Sequence, residues 1–147
     1  MSSIVRILTA ALAVTLTACG ATVTRVTPTA LREDPGSVIE YSAQVPFDYA
    51  YSRVKEQMII CYTATYVGLG SSLQWHVVAD RGDDYGQISW ISSSPNFGTK
   101  TMATILIMPY GPETRITSYL AYTKPQTRWG DTIRAWVEQK SERCDGT

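Results

Sequence analysis

Residues 73–93 read LQWHVVADRGDDYGQISWISS, two runs of alternating apolar and polar side chains with a polar turn between them. Alternation with a period of two is typical of β-strands that bury one face. The first run places Trp75 and Val77 on one side, and the second run places Ile88 and Trp90 on one side. Because glycine and aspartate favour a turn, the stretch predicts a β-hairpin.

Further strands are predicted on both sides of this hairpin. Downstream, residues 101–108 form an apolar strand and residues 115–123 alternate again, separated by the breaker sequence PYGP. Upstream, residues 38–45 alternate with their apolar side on the odd numbers, and Pro46 ends that strand. Paired in succession, these strands give a four- to five-stranded antiparallel sheet.

Two segments carry apolar residues at spacings of three and four, which is the pattern of an amphipathic helix. The first set is Phe47, Tyr51, Val54, Met58 and Cys61, and the second is Trp129, Ile133, Trp136, Val137 and Lys140. Gly68 and Gly70 are expected to end the first helix. With both helices on one face of the sheet, the predicted fold is an α+β two-layer sandwich of order βαββββα.

The composition is that of one folded domain. The chain has 147 residues, of which 44% are hydrophobic and 18% are charged, which is far too apolar for a disordered chain. Its 13 basic and 13 acidic side chains cancel. No electrostatic argument therefore favours a nucleic-acid partner.

The N-terminus indicates export. Residues 1–6 carry one positive charge, and residues 7–18 form an apolar run broken only by threonines. A transmembrane helix needs about twenty apolar residues, so the shorter run predicts a cleaved signal peptide. The run ends Leu16-Thr17-Ala18-Cys19, which resembles the lipobox of bacterial lipoproteins. An ordinary signal peptide followed by a chance cysteine is the alternative.

The lipobox resemblance implies a lipid anchor. In that class Cys19 receives a diacylglyceryl thioether, the chain is cleaved after Ala18, and the new amine is acylated. Several acyl chains are used because a single chain holds a protein only marginally. An aspartate after the cysteine favours inner-membrane retention in Gram-negative lipoproteins, but Gly20 stands there. The resemblance thus implies the periplasmic leaflet of the outer membrane, with the periplasmic face of the inner membrane as the alternative.

Three segments are predicted along the chain: a signal peptide over residues 1–18, a lipidated flexible tether over residues 19–37, and a single α+β domain over residues 38–147. The strand ending Val45-Pro46-Phe47, a helix ending in Cys61, a meander and a closing helix resemble small proteobacterial lipoproteins of unknown function. More distantly they are similar to the helix-grip domains of the lipoprotein subunit of the outer-membrane β-barrel assembly machine. No functional residues are carried over from either group.

The cysteine count agrees with export. If Cys19 carries lipid, Cys61 and Cys144 remain as one pair, and the periplasm oxidises such pairs to disulfides. Two separate buried thiols are the alternative, and a nucleophilic Cys61 lacks an evident base partner. The disulfide also tests the predicted topology, because it requires the ends of both helices to meet.

For most other candidate site residues, an ordinary structural role explains the sequence as well as a functional role does. His76 falls on the outer side of its strand, and the aspartates of the 80–84 turn suit turn chemistry better than calcium binding. The four tryptophans fit core positions better than a ligand groove. Phe97 and Tyr110 fall in turns, so they are predicted to mark a contact surface. No catalytic residue, metal ligand or cofactor is predicted.

These features predict a non-enzymatic, membrane-anchored module that binds another envelope protein or accompanies its assembly in the periplasm. Two alternatives stay open. A small lipid or glycan ligand would need a cavity between sheet and helices. A small hydrolase or thiol enzyme would use Cys61 or His76 with the nearby aspartates.

Overall fold

The structure is a computed structural model that describes residues 27–68, 71–122 and 127–144. The elements in chain order are α1 (Pro28–Glu33), β1 (Ser37–Ala43), α2 (Phe47–Tyr62), β2 (Ala64–Gly68), β3 (Ser71–Arg81), β4 (Gly86–Ser94), β5 (Gly98–Tyr110), β6 (Glu113–Leu120) and α3 (Thr127–Val137). The predicted α+β class is confirmed. The predicted signal peptide and Cys19 lie outside the described residues.

The six strands form one open antiparallel sheet in the order β1-β6-β5-β4-β3-β2. Strands β2 to β6 follow one another as a meander, and β1 pairs with β6 at the far edge. The predicted hairpin is present as β3 and β4, with Ala79 opposite Ile88. In the next pair Ile88 lies opposite Ile105. The inward positions of neighbouring strands therefore line up on one face of the sheet.

Helices α2 and α3 cover that face, here called the helix face, and enclose the hydrophobic core. The buried members of the core are Ala43, Ala50, Tyr51, Val54, Met58, Ile88, Ala103, Ile105, Ile107, Ile116, Leu120, Trp129, Ile133, Trp136 and Val137. Both predicted helical stripes contribute, although Lys140 lies beyond the end of α3. No helix within the described ranges is long and apolar enough to cross a membrane.

The sheet has six strands rather than the predicted four to five. The additional strand, β2, occupies a segment that was expected to belong to the first helix, which instead ends at Tyr62. Thr65, Tyr66 and Val67 are β-branched or aromatic residues that favour strands. Five residues are too few for alternation to stand out in the sequence, and pairing with β3, such as Tyr66 opposite Leu73, decides their conformation.

A short helix, α1, lies within the segment that was predicted to be a flexible tether. The Thr27 side chain accepts a hydrogen bond from the Ala30 backbone N–H at 3.1 Å, and Pro28 suits the first turn. Leu31 is buried but does not belong to the core of the helix face. Described structure thus begins before Val38, and six residues are too short for helical periodicity to be evident in the sequence.

The opposite side of the sheet, here called the open face, is only partly covered. The Ser89 and Thr104 hydroxyls are buried there and lie 3.3 Å apart in a hydrogen bond. Helix α1 contacts β5 and β6, and we infer that it covers this part of the face. Val78, which pairs with Ser89 from β3, and Met108, which lies farther along β5, are exposed. The predicted two-layer sandwich therefore has a third helix on its second side.

The predicted disulfide between Cys61 and Cys144 is confirmed, with the two Cα atoms 5.3 Å apart. It joins the last turn of α2 to the segment that follows α3. Arg53 holds the same segment, since it donates to the Glu142 carboxylate at 2.8 Å. The Trp136 indole N–H donates to the Arg143 carbonyl at 2.9 Å. The C-terminal segment is thus fastened to the helix layer by one covalent bond and several polar contacts.

Candidate functional site

One end of the open face carries an ordered cluster of aromatic and charged side chains. The Arg115 guanidinium lies over the Tyr110 ring, with its carbon 4.0 Å from the ring centroid. Arg115 Nε is 3.7 Å from a Glu40 carboxylate oxygen, and the Thr117 hydroxyl donates to the other oxygen at 3.3 Å. These four side chains come from three adjacent strands and form what we call the Tyr110 platform.

The β5–β6 hairpin positions the platform. Tyr110 pairs with Glu113 across a two-residue turn, and Met108 pairs with Arg115. Gly111 has a φ of 61°, a conformation that glycine adopts without steric cost. Since alternate residues share a face, Tyr110 and Arg115 become diagonal neighbours on the open face, within reach of a long side chain.

The charged and aromatic groups of the platform contact one another. Opposite charges on Arg115 and Glu40 balance, and the guanidinium is drawn to the negative ring face of Tyr110. Arg115 Nε is buried and has no hydrogen-bond partner among the described residues. The Tyr110 ring keeps an exposed fraction of 57%. A partly exposed ring that rests against a guanidinium can pack on an apolar side chain of a partner.

Exposed apolar side chains are present on the open face, one beside the platform and others apart from it. Met108 precedes Tyr110 on the same side of β5, and Val38 and Val78 lie on the same face of β1 and β3. All three are exposed. Met108 is the one that adjoins Tyr110 and lies opposite Arg115, and an exposed apolar side chain beside an exposed aromatic ring is typical of a protein-binding surface.

Phe97, the second residue predicted for a contact surface, lies elsewhere. It precedes β5 in the β4–β5 turn and is 79% exposed, whereas Tyr110 ends the same strand. β5 has 13 residues, and at about 3.3 Å per residue its ends are about 40 Å apart. The two side chains therefore belong to opposite ends of the sheet and do not form one site.

The tryptophans belong mainly to the core, as the helical and strand periods predict. Tyr62 packs against Trp90 and Trp129, with ring centroids 4.9 and 5.1 Å away, and Trp136 is fully buried. Burial raises the pKa of the Tyr62 hydroxyl above its usual value. These tilted aromatic contacts contribute to core packing.

A small cavity of about 290 Å³ adjoins this aromatic cluster and the disulfide. Its lining is Cys61, Tyr62, Ala64, Trp75 and Trp90. The volume is at the lower limit of ligand pockets in proteins, which measure about 300 to 1,000 Å³. Aromatic rings on several sides would suit a small apolar molecule. If the protein binds a small ligand, this cavity is the candidate binding site.

The residues considered for catalysis do not assemble into a reactive group. His76 lies on the open face opposite Ile91 in β4. Asp80 accepts hydrogen bonds from the Arg81 backbone N–H at 2.9 Å and from the Tyr85 hydroxyl at 3.0 Å, and the Asp80 contact raises the pKa of Tyr85. Cys61 is oxidised in the disulfide. The described part of the chain holds no group of three potential metal ligands.

Sequence reasoning missed Arg115. The alternation of β6 already assigns Arg115 to the side opposite Ile116. Its stacking on Tyr110 depends on the register of the hairpin, which brings residues on two strands together. A cation and an aromatic residue on the two arms of a short hairpin are the only sequence signal for the contact.

The fold and the site define an α+β domain with an open antiparallel sheet and a surface platform of one aromatic ring and one ion pair. No protein-family model matches the chain, and no match is found among curated proteins. The function is therefore argued from the sequence and the geometry.

Proposed function

We propose that the protein is a lipid-anchored lipoprotein of the bacterial envelope whose domain binds a protein partner through the open face without catalysing a reaction. The observation that carries the proposal is the Tyr110 platform, an exposed ring held by Arg115 with the exposed Met108 beside it. Balanced charge and an exposed aromatic ring suit recognition of another protein surface.

The anchor would place this surface close to the membrane. The lipid is proposed to be on Cys19, in the periplasmic leaflet of the outer membrane. Helix α1 begins at Pro28, so residues 20–27 separate the lipid from the first described helix. Fully extended, these residues reach at most about 30 Å. A partner of the open face would accordingly be a membrane-associated or near-membrane envelope protein.

The anchor is tested by metabolic labelling with palmitate. The wild type should incorporate label, and Cys19→Ser should lose it because the thiol that accepts the lipid is gone. Globomycin, which blocks the lipoprotein signal peptidase, should cause the uncleaved precursor to accumulate. The matched control is Cys61→Ser with Cys144→Ser, which removes the other two cysteines and should still label. Equal labelling of wild type and Cys19→Ser would rule out this anchor.

The binding surface is tested by photo-crosslinking in the native membrane. A photoreactive phenylalanine analogue at Met108 should give one discrete adduct, whereas the same analogue at the exposed Ser52 of α2 should give none. Arg115→Ala should lower the yield of the Met108 adduct about two- to fivefold, because an exposed cation–π contact contributes about 0.5 to 1 kcal/mol. The same adduct from both positions, or no adduct from Met108, would contradict a partner at the open face.

The second candidate function is binding of a small lipid or glycan in the cavity beside Trp75 and Trp90. Aromatic faces can stack on such ligands. Native mass spectrometry of the purified protein distinguishes the candidates, since a ligand-binding domain should retain a bound molecule of defined mass. An enzymatic function has less support, because neither Cys61 nor His76 has a catalytic partner among the described residues.

A further inference from the structure

The chain around β2 carries no charged side chain over a long stretch of sequence. Residues 57–79 contain no aspartate, glutamate, lysine or arginine, and they include the end of α2, all of β2 and most of β3. Large apolar side chains are exposed in this segment, among them Ile60, Tyr66 and Val67. A surface this apolar is typical of a protein interface.

Strand β2 is also an unprotected edge of the sheet. It pairs with β3 on one side, and in the described part of the chain no strand pairs with its other side. Half of its backbone N–H and C=O groups therefore point outward. Natural edge strands are usually protected by a charge, a proline or a bulge. The sequence Ala64–Gly68 has no charge or proline, and its register with β3 is unbroken.

The other edge of the sheet differs from β2. Strand β1 carries Glu40, whose carboxylate is paired with Arg115, and Pro46 follows the strand. Charged side chains and prolines at the edge of a sheet oppose pairing with another strand. Strand β1 therefore serves as a control edge against which pairing at β2 can be compared.

We propose that β2 pairs in antiparallel fashion with β2 of a second copy, joining two six-stranded sheets about a two-fold axis. An extended strand is the occupant that can satisfy a row of outward backbone groups. A second copy fits because β2 and its neighbours along the chain, residues 57–79, carry no charged side chain, so that self-pairing of β2 brings no like charges of this segment together.

Side chains on both faces of the new pair would gain contacts. The alternation of β2 places Tyr66 on the helix face and Val67 on the open face. Antiparallel self-pairing brings each of them close to its counterpart or to its neighbour on the partner's strand. The dimer would also set two open faces side by side. This inference goes beyond the proposed function and does not depend on it.

The experiment measures the mass of the purified full chain in detergent by light scattering, with the detergent mass subtracted, over a range of concentrations. The wild type should approach twice the monomer mass. Val67→Lys should weaken the dimer by at least about tenfold, because it removes an apolar contact and opposes two like charges. The matched control is Val38→Lys, since Val38 is an exposed valine on the other edge strand, and its dimer should match that of the wild type.

Hydrogen exchange locates the interface. Amides of β2 should gain protection as the wild type dimerises, and this gain should be absent in Val67→Lys. If Val67→Lys does not fold, Thr65→Lys on the same strand replaces it. A monomer at all concentrations would overturn the proposal, as would equal weakening by Val38→Lys or a dimer without protection of β2. Those results would leave the Met108 crosslink unaffected, so the two proposals fail separately.

Discussion

Replacing Trp136 with alanine should lower the free energy of unfolding by about 3 to 5 kcal/mol. Trp136 has an exposed fraction of 0% and is the largest fully buried side chain among the described residues. Its ring contacts Tyr62 edge-on at 6.4 Å between centroids. The substitution removes a large apolar surface and leaves a cavity between α3 and the sheet, which the surrounding helices can fill only in part.

The matched control is Trp136→Phe, which keeps an aromatic ring but loses the indole N–H that donates to the Arg143 carbonyl. Because Arg143 is exposed, water can solvate its carbonyl, and the expected loss is only about 1 to 2 kcal/mol. Urea unfolding followed by circular dichroism measures both variants. Equal losses for alanine and phenylalanine would show that the hydrogen bond, rather than packing, accounts for the effect.

Removing the disulfide by Cys61→Ser with Cys144→Ser should lower the free energy of unfolding by about 2 to 5 kcal/mol. The bridge joins residues 83 positions apart, and a long closed loop restricts the unfolded chain strongly. The loss should be accompanied by faster hydrogen exchange in the segment after α3, since hydrogen bonds such as those from Arg53, Tyr62 and Trp136 would then hold it without the cross-link.

The control for the disulfide is chemical reduction of the wild type. The reduced wild type and the double serine variant should unfold at the same urea concentration, because both lack the cross-link. The oxidised wild type should unfold at a clearly higher concentration. Identical midpoints for the oxidised and reduced wild type would mean that native-state packing, rather than the cross-link, sets the stability of this region.

The strands of the meander were predictable because they bury only one face. The odd-numbered apolar residues of β5, including Ile105 and Ile107, alternate with polar or less buried ones, so the pattern reveals the core side. The segments that escaped prediction are short. Helix α1 and strand β2 each span fewer than seven residues, and their conformations depend on the strands that they contact.

The candidate site was predictable only in part. Exposure of Tyr110 in a turn was expected, but sequence reasoning grouped it with Phe97, and the length of β5 separates them. The partner of Tyr110 is Arg115, which the hairpin register brings to it. Spacing along a chain indicates which face a residue occupies, whereas the neighbours of that residue depend on strand pairing.

The sequence by itself determined the α+β class and the inward side of the main strands, because periodicity is a local property. It predicted the pairing of Cys61 with Cys144 only on the premise that Cys19 carries lipid, and the structure brings the two cysteines together. Tertiary structure decided that β2 is a sixth strand, that α1 contacts the strands on the open face, and that Tyr110 and Arg115 meet in the platform. These depend on contacts between distant segments, where a short stretch adopts the conformation that pairs or packs best. The uncharged run over residues 57–79 was present in the sequence, but only the sheet order places it at an open edge.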